Sequence, residues 1–158
     1  MNVPNKTKGF TIIEVVLVLA IAGLIFLVVF LALPALQRGQ RDTQRKQDLG
    51  KMMSQVTAYA SNNQGLLPTS AQWDTPFKTS YLTVNSTPFA DPSDGVTYTI
   101  TQPATAPAGA PAPTVHSILV YPGMTCASGG LGGTLTTGSR TLAAVIYQEQ
   151  GGYYCQNN

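Results

Sequence analysis

Glu14 is the residue whose chemistry most needs an explanation, because it is the only charged side chain in an apolar run from Phe10 to Leu36. An unpaired carboxylate in hydrocarbon costs about 2.5 to 3.5 kcal/mol on insertion scales, so an intramembrane acid is a functional hypothesis that needs a partner. If the chain were cut after Gly9, the new α-amino group of Phe10 would be a cation that Glu14 of a neighbouring copy could neutralise. The alternative is an acid tolerated near the membrane interface, where its side chain reaches the lipid headgroups.

The elements that must position Glu14 are a short polar start and a long apolar segment. Residues 1–9 are polar and basic, and Val15 to Leu36 carries no charge. This apolar segment is long enough for the roughly 20 residues needed to cross hydrocarbon. An ordinary secretory signal is the competing interpretation, but its apolar core usually spans about 7 to 15 residues and contains no acid. The sequence therefore predicts a transmembrane helix over residues 10–36.

This N-terminal pattern resembles that of type IV pilins and their pseudopilin relatives. Leader peptides of that family end in a basic residue and Gly, followed by Phe, Thr and, as the fifth residue of the processed chain, Glu. The residues that match position by position are Lys8, Gly9, Phe10, Thr11 and Glu14. The resemblance covers residues 6 to 64 well, and the rest of the chain in general layout. The family's frequent proline would fall at Leu31, whereas this chain has Pro34, so any helix break or kink is expected about one turn further along.

The resemblance implies a type IV prepilin that a prepilin peptidase cleaves between Gly9 and Phe10. It also implies N-methylation of Phe10 and pairing of Glu14 with the Phe10 amine of a neighbouring subunit. The implied partners are identical or related pilin subunits in a helical filament, a pilus assembly platform protein and an ATPase. The expected location is a single-pass inner or cytoplasmic membrane state before assembly and an extracellular pilus filament after it.

Two other functions stay open. A pseudopilin of a type II secretion or DNA-uptake system shares the whole N-terminal signature. A hypothesis from a different class is a monomeric membrane-anchored binding module whose loops, residues 102–113 and 123–138, carry a receptor site.

Basic residues on the two sides of the apolar run give conflicting signals about orientation. Lys6 and Lys8 favour a cytoplasmic N-terminus, but a larger basic set after the run favours the reverse: Arg38, Arg41, Arg45, Lys46 and Lys51. The leader resemblance, and the disulfide that it implies between the two cysteines Cys126 and Cys155, decide for a cytoplasmic N-terminus. Without residues 1–9 the 9 basic residues fall to the number of the 7 acidic ones. This neutrality gives no overall electrostatic case for nucleic acid as a partner.

The helical pattern continues from residue 37 to 64 as an amphipathic segment. One apolar face, able to cover a sheet, comprises Leu49, Met52, Met53, Val56, Tyr59 and Ala60. Arg38, Asp42 and Lys46 predict an alternating-sign strip that faces solvent or another subunit, rather than a DNA or lipid patch. Gly65 is suited to the left-handed cap of this helix.

Residues 65–158 are predicted to form a small β domain. The strand candidates are Tyr81–Val84, Val96–Thr101, Val115–Tyr121, Thr141–Gln148 and Tyr153–Cys155. A hairpin turn is expected at residues 149–152, and loops at residues 66–80, 102–113 and 123–138. Consecutive antiparallel strands form a meander whose one face the helix would cover. The predicted fold class is therefore α+β and pilin-like, with a long N-terminal helix packed on a small antiparallel β-meander.

The chain has two cysteines, Cys126 and Cys155. Type IV pilins often close their C-terminal region with a disulfide, and the resemblance implies such a bridge here. A disulfide that closes the loop between Cys126 and Cys155 would stabilise the folded state by about 3 to 4 kcal/mol. A zinc site is not predicted, because the sole histidine, His116, leaves too few soft ligands. His116 is expected to be a strand residue at solvent or at the edge of the core.

The segment Asp91-Pro92-Ser93-Asp94-Gly95 is the other cluster that we consider as a functional site, because closely spaced carboxylates in a loop can bind calcium. Its two carboxylates supply too few of the 6 to 8 oxygens that calcium takes, and Asp-Pro and Asp-Gly are strong turn signals, so a turn is predicted. Asn5 and Asn85 begin weak matches to the N-glycan acceptor pattern. No nucleophile–base pair, phosphate loop or metal motif occurs in the sequence, and no enzyme, cofactor or metal is predicted.

Overall fold

The structure is a computed structural model that describes residues 9–83, 87–127, 130–131 and 134–158. The chain divides into two compact units, Met1–Gln37 and Arg38–Asn158, and each is described by itself. The two asparagines of the glycan acceptor patterns, Asn5 and Asn85, lie outside the described residues, as does Lys8 of the leader pattern.

Helix α1 extends from Ile12 to Asn62. Its first turn forms where the N–H groups of Glu14 and Val15 donate to the carbonyl of Thr11, at 3.1 and 3.3 Å. The helix continues through Pro34 without a break. A proline within a helix removes one backbone hydrogen bond, and the uninterrupted helical residues on both sides preserve the others.

The C-terminal end of α1 follows the predicted capping. Gly65 has φ of +83°, the left-handed conformation that glycine adopts without a steric penalty, and its N–H donates to the carbonyl of Ala60 at 2.7 Å. The side-chain amide of Asn63 donates to the carbonyl of Tyr59 at 2.8 Å. These bonds satisfy carbonyls that the end of the helix would otherwise leave unpaired.

A second helical segment, α2 (Trp73–Leu82), has π-type hydrogen bonds. It replaces part of the predicted loop at residues 66–80, and it includes Tyr81 and Leu82, so the strand predicted at 81–84 is wrong for these residues. The reason is tertiary packing: Trp73 and Phe77 are fully buried, and the Phe77 and Tyr81 rings stack at 5.5 Å. Thr75 is extended, as expected for a residue before proline.

Five strands form one sheet in the order β1-β2-β4-β5-β3. They are β1 (Thr99–Thr101), β2 (Ser117–Cys126), β3 (Gly130–Leu131), β4 (Leu135–Tyr147) and β5 (Tyr153–Asn157). The antiparallel meander is confirmed for β2, β4 and β5. However, β1 pairs with β2 in parallel, so the sheet is mixed. The chain between β1 and β2 is long enough for the crossover that a parallel pair requires.

The loop predicted at residues 123–138 is mostly strand. β2 and β4 extend into it and pair through Thr125 and Thr136, whose hydroxyl oxygens lie 2.9 Å apart. The Gly and Ser content of this segment predicted a loop, whereas its β-branched threonines fit a pleated surface well.

The core lies between one face of α1 and one face of the sheet. Helix residues Leu49, Met52, Val56 and Tyr59 pack with alternating sheet residues Ile118, Val120, Leu142, Ala144 and Ile146. The helix face that was predicted from apolar spacing is thereby confirmed, and the α+β, pilin-like fold class with it.

Candidate assembly site

Glu14 lies in the first turn of α1, where a carboxylate interacts favourably with the positive end of the helix dipole. Phe10, one turn before it, is 83% exposed. With Val15, Val18 and Leu19, these residues line a shallow groove of about 200 Å³. Within the described part of the chain, no side chain forms an ion pair or hydrogen bond with the Glu14 carboxylate.

The side chains around this groove form a long apolar surface that the N-terminal unit does not cover. The most apolar 18-residue window of α1 has a mean hydropathy of 3.3, and none of it is buried. Large side chains such as Phe26 and Phe30 are about two thirds exposed or more. Patches of this size mark contact with a membrane or with another protein. The segment is long and apolar enough to cross a membrane.

The family model for the prokaryotic N-terminal methylation motif matches residues 4–30, the same segment that holds Glu14 and the groove. The chain carries the type IV pilin and pseudopilin signature. No curated protein and no solved structure gives a significant match to the chain. The predicted resemblance is thereby confirmed, and the class that it indicates is structural rather than enzymatic. Cleavage after Gly9, methylation of Phe10 and charge pairing by Glu14 stay predictions.

The pilin-type signature ends within α1, and a second set of charged residues lies in the other unit. Arg45 is fully buried and donates two hydrogen bonds to Asp91, from Nε to Oδ2 at 2.8 Å and from Nη2 to Oδ1 at 2.7 Å. Its remaining nitrogen, Nη1, donates to Asp42 and lies close to Glu149, both at 2.9 Å. The guanidinium also lies 5.7 Å from the centroid of the Tyr147 ring. One arginine thus joins α1 to the Asp91 turn and to the turn between β4 and β5.

Asp42 and Arg41 extend this ion-pair network to the backbone of the turn between β4 and β5. The Asp42 carboxylate accepts hydrogen bonds from the N–H groups of Glu149 and Gln150, at 2.8 and 3.0 Å. Arg41 donates two hydrogen bonds to the Glu149 carboxylate, at 2.8 and 2.6 Å. Bidentate arginine–carboxylate pairs of this kind are among the stronger side-chain hydrogen bonds and fix geometry as well.

The network shifts the pKa values of its carboxyl groups. Burial alone would raise the pKa of Asp91, but hydrogen bonds from Arg45 and Ser93 outweigh it and lower that pKa to about 2. The hydrogen bond from Arg41 lowers the pKa of Glu149. Both groups are therefore ionised in the folded protein at neutral pH.

This arrangement overturns the predicted role of one strip on α1. Asp42 was expected to alternate with Arg38 and Lys46 on a face toward solvent or another subunit, but only 4% of Asp42 is exposed. Its carboxylate faces the turn between β4 and β5 instead, because two backbone N–H groups and Arg45 bind it there. Lys46 lies over the Tyr154 ring, 5.4 Å from its centroid.

Asp91, Asp94 and His116 also come together, with candidate ligand atoms within 4.8 Å of one another. The Asp91 oxygens already accept hydrogen bonds from Arg45 and from the N–H and hydroxyl groups of Ser93. A cation bound here would lie beside a buried guanidinium, which opposes it electrostatically. An oxygen of the Asp94 carboxylate lies 2.8 Å from Nε2 of His116, and the carboxylate accepts a hydrogen bond from the N–H of Val96. This geometry supports the predicted turn rather than a calcium site.

Cys126 and Cys155 form a disulfide with a Cα–Cα distance of 5.9 Å. It joins β2 to β5, which are not neighbours in the sheet because β4 lies between them. Both cysteines are buried, in a small cluster that also contains Tyr121, Val145 and Tyr153. The bridge therefore fastens the last strand to the sheet.

The ion-pair network was missed at the level of sequence, although one signal could have indicated it. Arg45 continues the helical spacing of the apolar residues Leu49 and Met52, so it lies on the face predicted to be buried. A charged residue on such a face requires a buried partner. The spacing could not identify Asp91 or Glu149 as that partner, because both are distant in sequence.

Proposed function

We propose that this chain is a type IV prepilin that is cleaved after Gly9, N-methylated on Phe10 and polymerised through α1. A prepilin peptidase, a pilus assembly platform protein and an ATPase are the partners that this function requires. The chain would span the inner or cytoplasmic membrane once before assembly and become part of an extracellular filament afterwards.

The observation that carries the proposal is Glu14, the one carboxylate in an uncovered apolar segment that matches the methylation motif. In a filament the apolar residues from Val15 to Leu36 would be buried between subunits. In such an environment of low dielectric constant, the attraction between the Glu14 carboxylate and a neighbouring Phe10 amine is stronger than in water. This pairing would favour one register between subunits, because other registers leave both charges buried and unpaired.

The ion-pair network weakens the basic-residue argument against an orientation with residues 38–158 outside the cytoplasm. Five basic residues follow the apolar run and would by number favour the opposite orientation. Two of them, Arg41 and Arg45, bind Glu149, Asp42 and Asp91 within the folded unit. They thus have a structural role that does not depend on membrane topology. Three other basic residues after the run, Arg38, Lys46 and Lys51, still outnumber Lys6 and Lys8, so the proposed orientation rests on the leader signature.

Mass spectrometry of the protein isolated from its native cells tests the proposal directly. We expect the mature chain to begin at Phe10 and to carry one methyl group on its α-amine. Replacing Gly9 with a bulky residue should leave the full-length form in the membrane and abolish filaments. A mature chain that begins at Met1, or near Leu36, would rule the prepilin function out.

A pseudopilin of a secretion or DNA-uptake system would pass the same mass-spectrometric test. Negative-stain microscopy separates the two, because the pilus function predicts long surface filaments that disappear when this chain is deleted. Loss of secretion or of DNA uptake without loss of surface filaments would instead assign the chain to the pseudopilins.

A further inference from the structure

A polar cavity of about 370 Å³ lies between α1 and the turn that joins β4 to β5. Its lining consists of polar residues and glycines, which lie within Gly39–Lys46 of α1 and within Gln148–Gly151 of the turn. Pockets of roughly 300 to 1,000 Å³ hold small ligands, and most of them are lined mainly by apolar side chains. A lining without large apolar side chains favours a polar ligand instead, because buried polar groups lose free energy when they have no hydrogen-bond partner.

Gln148 is a buried residue of this lining whose side chain lacks good hydrogen-bond partners. Only 2% of the residue is exposed. Its Nε2 lies 3.4 Å from the carbonyl oxygen of Tyr147, beyond the usual range for such a bond. Its Oε1 accepts no hydrogen bond from any described residue. Because buried polar side chains are nearly always hydrogen-bonded, this amide needs a partner that a ligand in the cavity would supply.

Lys46 provides the one uncompensated charge of the lining. Asp42, one helical turn earlier, is the usual type of partner for a lysine, but its carboxylate binds Arg45 and two backbone N–H groups. Among the described residues, the Lys46 ammonium forms no ion pair and lies 5.4 Å from the centroid of the Tyr154 ring. The cavity therefore offers a cation to an anionic group.

Gly39 leaves the space that the cavity occupies on the helix side. Glycine is a poor helix former, and here it lies in the interior of α1. A Cβ atom at this position would lie 3.0 Å from Nε2 of Gln150, so the glycine makes room for that amide. The Thr43 hydroxyl, which donates to the Gly39 carbonyl at 2.8 Å, keeps its oxygen as an acceptor.

These groups define the chemistry of the ligand. A carboxylate matches a single ammonium, whereas a phosphate group, with a charge near −2, would call for a larger set of cations. Hydroxyl groups donate and accept hydrogen bonds, as the amides of Gln148 and Gln150 do. An apolar ligand body would leave those amides unpaired. The combination indicates a sugar acid, that is, a sugar ring that carries a carboxylate.

We propose that this cavity binds a sugar acid, with its carboxylate at Lys46 and its hydroxyl groups at Gln148, Gln150 and Thr43. The inference does not depend on the proposed assembly function, because every lining residue lies in the unit Arg38–Asn158. A free sugar acid and one at the end of a polysaccharide present the same chemistry, and the experiment separates them.

The experiment titrates the full chain in detergent with sodium glucuronate and follows the side-chain amide signals of Gln148 and Gln150 by NMR. We expect both signals to shift saturably. Lys46→Gln removes the ammonium and should weaken binding at least roughly tenfold, because charge-assisted hydrogen bonds are the stronger ones. The matched control is Lys51→Gln, at an exposed lysine outside the cavity, which should leave the affinity within about twofold of its original value.

Gly39→Leu gives a second variant, in which a side chain fills the cavity. Leucine favours a helix more than glycine does, so a loss of binding cannot be attributed to weakening of α1. We expect the amide shifts to disappear while the temperature of thermal unfolding does not fall. Saturable binding of glucuronate that survives this substitution would place the sugar elsewhere and overturn the inference.

Two partial ligands test the class of ligand. Glucose lacks the carboxylate and acetate lacks the hydroxyl groups, so each should bind at least roughly tenfold more weakly than glucuronate. Equal affinity for either one, or no saturable shift with glucuronate, overturns the inference. An oligosaccharide that ends in glucuronic acid then identifies the source: tighter binding than free glucuronate indicates a polysaccharide end, and equal binding indicates the sugar acid alone.

Discussion

In the N-terminal unit the carboxylate of Glu14 is exposed and has no partner among the described residues, whereas in residues 38–158 the buried charges of Arg45, Asp42 and Asp91 are all paired. The same contrast holds for apolar surface. Large side chains before Leu36 are uncovered, while those from Leu49 onward fill a core. Groups that find their partners inside the chain stabilise the fold. Groups that do not are left for a membrane or for another chain.

The largest effect is expected from removing the one unpaired charge. Glu14→Gln and Glu14→Val should leave cleavage after Gly9 and folding of residues 65–158 intact, but lower filament yield by roughly 100-fold or more, since a lost partner leaves a buried amine uncompensated. Glu14→Val should also insert into membranes more readily. The measurements are mature subunit level by mass spectrometry and filament yield by pelleting, with Ile13→Val as the control.

Normal filaments from both Glu14 variants would eliminate the charge-pairing mechanism. Loss of cleavage would have a different meaning, because Glu14 would then act in recognition by the peptidase and not in assembly.

In the second unit, Arg45→Met should have the largest effect on stability. It leaves the carboxylates of Asp91, Asp42 and Glu149 close together without their shared cation, and breaking a buried pair in this way costs about 3 to 5 kcal/mol. Arg38→Met, at an exposed residue, should change stability by no more than about 0.5 kcal/mol. Denaturant titration of the full chain in detergent measures both. Equal effects of the two substitutions would refute the structural role of the network.

Removing the disulfide tests whether the attachment of β5 to the sheet depends on a covalent link. Replacing Cys126 and Cys155 together with serine should lower the free energy of unfolding by about 3 to 4 kcal/mol without changing membrane insertion. Non-reducing peptide mapping should find the two cysteines joined within one chain. Free thiols in protein taken from the cell surface would contradict this expectation.

The smallest effect is expected from acid. Because the pKa of Asp91 is lowered from 3.8 to about 2, its stabilisation is fully present above pH 4 and is lost as the pH falls toward 2. The loss should be about 2 kcal/mol, from the conversion of one pKa unit to roughly 1.4 kcal/mol. Glu149, whose pKa is also lowered, adds to it in the same direction. Thermal unfolding measured between pH 2 and pH 5 reports this loss of stability. In the Asp91→Asn variant, stability should depend less on pH over that range. If the variant is as sensitive to acid as the unmodified chain, other groups cause the acid sensitivity.

Much of the α-helical half could be predicted from sequence, because its signals are local. The apolar run, the spacing of Leu49 to Tyr59 and the cap at Gly65 each depend on residues a few positions apart. The β half was predicted less well. Three antiparallel strands were predicted, but the parallel pairing of β1, the helical segment α2 and the extension of β2 and β4 into residues 123–138 were not.

The sequence by itself determined the N-terminal candidate site, since Gly9, Phe10 and Glu14 lie close together in one short motif. Their chemistry can be interpreted without knowing the tertiary structure. Only the tertiary structure decided which charges are internal. Asp91 and Glu149 lie 46 and 108 residues from the arginines that they bind, Arg45 and Arg41. An ion pair depends on distance in space, and the packing of the sheet on α1 brings these carboxylates within hydrogen-bond distance of Arg45 and Arg41.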